Sequence, residues 1–78
     1  MRVKSPRVVV TFHTTAEAMK TEQICQANHL DGRLISAPRS LSADCGIAWS
    51  GPAETRAELV RTLEEAAVET AGVYELVM

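Results

Sequence analysis

Aromatic side chains are scarce in this chain of 78 residues. Phe12, Trp49 and Tyr74 are all there are, 4% of the total. A core built with so few rings has to be aliphatic, and a chain this short buries only about 60% of its unfolded surface. Long apolar runs are missing as well. Nothing approaches the ~20 consecutive apolar residues of a membrane span. The run Val8-Val9-Val10 that follows the start Met1 to Pro6 is too short for a signal-peptide core, and no small-residue cleavage site follows it. The cytoplasm is therefore the expected compartment, with no membrane partner. Positive charge is sparse: 8 Lys and Arg stand against 10 Asp and Glu, a formal net charge of −2. The basic residues are scattered and form no stripe that could track a phosphate backbone, which argues against a nucleic-acid partner. Cysteine occurs twice, at Cys25 and Cys45, with no CxxC. That is too few for a disulfide scaffold, so reduced thiols are expected. No internal repeat and no low-complexity tract is visible.

What is present reads as alternating strands and helices. Residues 1–6 are a polar lead ending in proline, and residues 7–78 read as a single domain. Arg7 to Phe12 is β-branched and alternating, with Val8, Val10 and Phe12 on one face, which predicts a strand. Thr14-Thr15-Ala16-Glu17 has the form of a capping box: the Thr14 hydroxyl accepts the Glu17 amide, and the Glu17 carboxylate reaches back. A helix from about Thr15 to Asn28 should follow. Its inner face is ambiguous, with Ala18, Met19, Glu22 and Cys25 on one stripe and Ala16, Met19, Ala27 and Leu30 on another. Arg33 to Ala37 reads as a second strand, stopped by Pro38. Gly46 to Ser50 reads as a third. Gly51-Pro52 opens a second helix with proline at the first helical position. Leu59, Val60, Leu63, Ala66, Ala67 and Thr70 form its apolar face, opposite Glu54, Glu58, Arg61, Glu65 and Glu69. Gly72 is expected to break that helix, and Val73 to Met78 predicts a fourth strand.

The order β-α-β-β-α-β predicts an α+β, ferredoxin-like fold: one four-stranded antiparallel sheet with both helices on one face. In that arrangement the first and third strands are the antiparallel inner pair. The end of the first strand, at Phe12-His13, then lies beside the beginning of the third, at Cys45-Gly46. The first helix starts at the same end, at Thr14. Cys45 should therefore lie near His13, near the helix N-terminus and near its own loop residues Arg39 and Ser42. A free thiol has a pKa near 8.5, and the thiolate is the nucleophile. A helix N-terminus carries about half a positive charge. Together with Arg39 or a protonated His13 it would lower that pKa, while Asp44 opposes the effect unless it points away. Gly46 would let a ligand or a partner backbone approach closely.

The other candidates have plainer readings. Cys25, in mid-helix, is expected to be a small buried hydrophobe. A Cys25–Cys45 disulfide is disfavoured, because Cys25 lies about 15 Å along the helix axis from the capped end. His13, His29, Cys25 and Cys45 lack close metal-ligand spacing, so no metal or cofactor is expected. Trp49 is expected in the core and His29 in a turn. Val9, Thr11, Ala48 and Tyr74 would line the open face of the sheet, which could be buried in a homodimer or against a partner.

Thr11-Phe12-His13-Thr14-Thr15, then Glu22, then Pro38-Arg39-Ser40-Leu41-Ser42-Ala43-Asp44-Cys45-Gly46 resemble the selenium/sulfur carrier-like family of small bacterial proteins. The likeness runs from about Val8 to Tyr74, and the Pro-Arg…Ser…Cys-Gly loop is its specific part. It implies a non-catalytic carrier that holds sulfur or selenium on Cys45 as a persulfide or selenopersulfide. His13, Thr14, Pro38, Arg39, Ser42 and Gly46, and less directly Glu22, would support it. A cysteine desulfurase or similar enzyme would deliver the chalcogen and another enzyme would accept it. Two positions depart from the family pattern: Asn28-His29 occupies a turn where relatives often place glycine, and Cys25 sits where an aliphatic residue is common. A ferredoxin-like binding or dimerisation module with no thiol chemistry is the alternative reading. A self-contained thiol redox enzyme is disfavoured because no resolving cysteine lies near Cys45.

Overall fold

The structure is a computed structural model and describes residues 5–41 and 46–77. Its elements are β1 (Pro6–Thr11), α1 (Thr15–Ala27), β2 (Arg33–Ser36), β3 (Ile47–Pro52), a 3-10 turn (Ala53–Thr55), α2 (Arg56–Glu65) and β4 (Gly72–Val77). The four strands form one antiparallel sheet in the order β2-β3-β1-β4. This is the ferredoxin-like arrangement, and β1 and β3 are its inner pair.

Register explains which residues are inside. Val10 pairs with Trp49 on one side and Val73 on the other, and Trp49 pairs with Leu34. Strand side chains alternate faces, so this row and its neighbours Val8 and Phe12 point to the helices. Val8, Val10, Phe12 and Trp49 form one buried cluster with Ala18 and Cys25 of α1 and Leu59 and Leu63 of α2. The α1 face follows neither anticipated stripe. Ala18, Thr21 and Cys25 are buried, while Met19 is 54% exposed. Thr21 can be buried because its hydroxyl donates to the Glu17 carbonyl at 2.9 Å, satisfying the group that would otherwise make burial costly.

Several boundaries shift. Pro6 already belongs to β1, and Phe12 packs into the core just past its end. β2 stops at Ser36, and β3 starts at Ile47 and runs through Gly51 to Pro52. The second helical segment therefore opens as a 3-10 turn with Pro52 at its N-cap. α2 ends at Glu65, well before Gly72. Ala67 takes a left-handed conformation (φ 57°). Its amide bonds to Glu64 O at 3.0 Å, and that of Val68 to Leu63 O at 3.0 Å. This is a Schellman motif with alanine in the place that usually holds glycine. α1 ends the same way at His29 (φ 57°), with Leu30 N–H bonding Cys25 O at 2.9 Å and His29 N–H bonding Gln26 O at 3.2 Å.

The open face is less bare than composition implied. Val9, Thr11 and Ala48 do share it, yet each is 0% exposed. Arg7 lies on that face and donates from Nε to Ser50 Oγ at 3.2 Å and from Nη2 to Ser50 O at 3.3 Å. The Tyr74 ring folds back over Gly72. Trp49 is held between elements that leave no room for a side chain: a Cβ on Gly32 (φ 147°) would lie 2.6 Å from its ring.

Candidate functional site

The candidate site lies at the end of the sheet where β1 stops and β3 begins. Thr11 pairs with Ala48. Counting two residues further sets His13 across from Gly46, the residue that follows Cys45 in the chain. Thr14, next to His13, caps α1: its hydroxyl accepts the Glu17 amide at 3.3 Å. Glu17 Oε2, which could accept the reciprocal bond from Thr14 N–H, is buried without a hydrogen-bond partner among the described residues. The capping box is therefore only half made. Ala18 N–H bonds to Thr14 O at 3.4 Å. Among the described residues, the first-turn amides left for a ligand are those of Thr15 and Ala16. They sit at the positive end of a 13-residue helix.

The loop between β2 and β3 is closed at its base by a hydrogen bond from Ala37 N–H to Gly46 O at 2.9 Å. Its first turn is closed by Leu41 N–H to Pro38 O at 3.0 Å. Pro38 is half-buried; Arg39 and Gly46 are exposed, as is His13. Gly46 takes φ 72°, and among the described residues, its chain neighbours aside, no atom lies within 4 Å of where its Cβ would be. Backbone conformation favours glycine there. Ser42, Asp44 and Cys45 lie outside the described residues, and so does the geometry of the predicted thiol.

The backbone thus brings His13, Thr14 and Gly46 to one end, with Pro38 and Arg39 on the loop that Gly46 closes. It does not bring Glu22 to them. Glu22 sits eight residues along α1 from Thr14, about 12 Å by helix rise. Glu17 is the residue at this end that sequence reasoning assigned to another task. T-x-x-E spacing marks a capping box, and nothing in the sequence signals that Glu17 Oε2 is left without a partner among the described residues.

The family comparison is decided over nearly the whole chain. The model of the family described as "Putative Se/S carrier protein-like" matches residues 7–75. The chain belongs to that family. The match spans β1 through most of β4 and includes the whole carrier-family loop from Pro38 to Gly46. No curated protein and no solved structure matches the chain.

The remaining thiol is of a different kind. Cys25 is free and buried in the core, and burial pushes its thiol up to about 11. Among the described residues no three His, Cys, Asp or Glu side chains converge as a metal site, and no helix is long and apolar enough to cross a membrane. A hollow of about 320 Å³ lined by Ser5, Arg7, Pro52 and Glu54 lies at the opposite end of the sheet from the loop.

Proposed function

We infer that this protein carries sulfur or selenium on Cys45 and passes it between enzymes. The Cys45 thiolate attacks the terminal chalcogen of a persulfide or selenopersulfide on a delivering enzyme such as a cysteine desulfurase. The new S–S or S–Se bond to Cys45 forms as the bond in the donor breaks, and the donor cysteine leaves as its thiolate. Unloading is the reverse exchange: a nucleophile on the accepting enzyme takes the terminal atom, and Cys45 departs as thiolate. No net oxidation or reduction is needed. The first-turn amides of α1, His13 and Arg39 stabilise the anion before and after transfer.

The observation that carries this reading is the family match across residues 7–75. The backbone setting supports it: a loop pinned by Ala37 and Gly46, with open space beside Gly46 and a capped helix start at the same end. The test is mass spectrometry of the intact protein after incubation with a cysteine desulfurase and its substrate. The wild-type protein gains the mass of a chalcogen atom, and Cys45→Ala gains none. A folded wild-type protein that stays unloaded would refute the carrier reading. In the same material, alkylation followed against pH should give Cys45 a pKa below 8. A value at or above 8.5 would remove the electrostatic activation.

A further inference from the structure

The two edges of the sheet are built differently. β2 is four residues long, carries Arg33 and is followed closely by Pro38. Short length, charge and a nearby proline are how natural sheets close an edge. β4 lacks the short length and the nearby proline, and its one charge, Glu75, is paired with Arg56 of α2. It is six residues long, contains no proline or lysine, and pairs with β1 in unbroken register from Pro6↔Val77 to Thr11↔Gly72. Among the described residues, its outer side presents a row of unpaired backbone donors and acceptors. Val77 is 67% exposed, one of the most exposed large apolar residues described. On the helix side, a mainly apolar groove of about 110 Å³ lined by Val60, Leu63, Val68 and Val73, with Glu64 and Thr70, opens between α2 and the start of β4.

We propose that β4 pairs antiparallel with β4 of a second copy, joining two sheets into one of eight strands. The proposal stands independently of the carrier reading. A two-fold axis perpendicular to the sheet leaves each side chain on its own face, so it must pass through a residue and not between two. An axis through Tyr74 pairs everything from Ala71 to Val77: Ala71 with Val77, Gly72 with Leu76 and Val73 with Glu75. An axis through Glu75 would oppose two carboxylates. With the axis at Tyr74, Glu75 meets an apolar residue of the other copy and keeps its own counter-ion, since Arg56 Nη1 bonds Glu75 Oε2 at 2.5 Å. Val73 and its equivalent become diagonal neighbours on the helix side, so the two apolar grooves meet across the axis. A second copy supplies both a strand for the backbone groups and an apolar partner for the groove. Edge pairing of this length is small beside standard interfaces, so the dimer depends on concentration. β2, which carries the start of the site loop, lies three strand spacings from this edge, about 14 Å.

Sedimentation velocity of the full chain, from low to high micromolar concentration, should show reversible dimerisation. Val77→Lys places a charge on the exposed edge and should weaken it at least about tenfold, a shift of about 1.4 kcal/mol, with circular dichroism and Trp49 fluorescence unchanged. In a Cys25→Ser, Cys45→Ser background, Tyr74→Cys should crosslink two copies under mild oxidation, because residues directly opposed across an antiparallel pair have Cα atoms about 4.5–5.5 Å apart. Glu75→Cys should not crosslink, because its equivalent lies beyond bridging distance. A wild-type chain that stays monomeric throughout, a dimer indifferent to Val77→Lys, or crosslinking at position 75 in place of 74 would overturn the proposal.

Discussion

Cys25 faces the core from α1, 0% exposed, and burial alone raises its pKa from 9.0 to about 11. Because the folded value lies above the unfolded one, the neutral thiol contributes stability that is fully present below pH 9. That contribution is lost as pH rises from 9 toward 11. The loss is about 2–3 kcal/mol at most, at 1.36 kcal/mol per pKa unit. Urea titrations read by Trp49 fluorescence should therefore show wild type losing stability across this window more steeply than Cys25→Ala. Cys25→Ala is less stable below pH 9, since truncating a buried side chain leaves a cavity. Equal pH slopes in the two proteins would contradict this account. In the folded state Cys25 should also react with thiol probes only as fast as the protein opens.

The helices are where local chemistry is most directly testable. Both end in Schellman motifs whose left-handed position is held by a residue with a Cβ, His29 in α1 and Ala67 in α2. Left-handed backbone costs an L-residue about 1–2 kcal/mol, which glycine avoids. Ala67→Gly should raise stability by about 0.5–1 kcal/mol, since the gain is partly offset by the greater freedom of glycine in the unfolded chain. At the other end of α1, Thr14→Ala removes the acceptor for the Glu17 amide and should cost about 1 kcal/mol, lowering the melting temperature by roughly 4–8 °C in a domain of this size. Thermal scans of the two variants should move in opposite directions. The caps also show how far local signals reach. T-x-x-E marks the start of α1, but whether the Glu17 carboxylate accepts the return bond from Thr14 N–H depends on where it lies in the fold. The end of α2 is hidden from the sequence because Gly72 is the stronger local signal, and an alanine in left-handed conformation leaves no mark there.

At the level of the whole molecule, Arg39 stands apart from the core. The radius of gyration is 11.5 Å, the value expected for a compact chain of this length. The packed cluster lies between sheet and helices, whereas Arg39 is exposed on the loop beyond Ala37. Arg39→Ala should therefore leave stability within about 0.5 kcal/mol of wild type while slowing chalcogen loading of Cys45. A loss of stability matching the loss of loading would mean that Arg39 braces the loop and does not act on the thiolate.

The Cys45 loop was legible as a candidate from residue types and order alone. Pro38-Arg39 opens it, Gly46 closes it, and the family match spans it. β1, β3 and the apolar face of α2 were legible for a related reason: alternation and helical spacing are local consequences of burying one side of an element. The inner face of α1 was not. Thr21 is buried there because a hydroxyl can satisfy itself on its own helix, and Met19 is exposed, so hydropathy misleads on both. That β1 and β3 are neighbours, and therefore that His13, Thr14 and Gly46 share one end, was legible only through the ferredoxin-like order of the elements, because it rests on pairing between residues at least 37 positions apart. No local pattern encodes that pairing. The same holds for the contrast between the closed edge at β2 and the open edge at β4, which exists only once the sheet order is known.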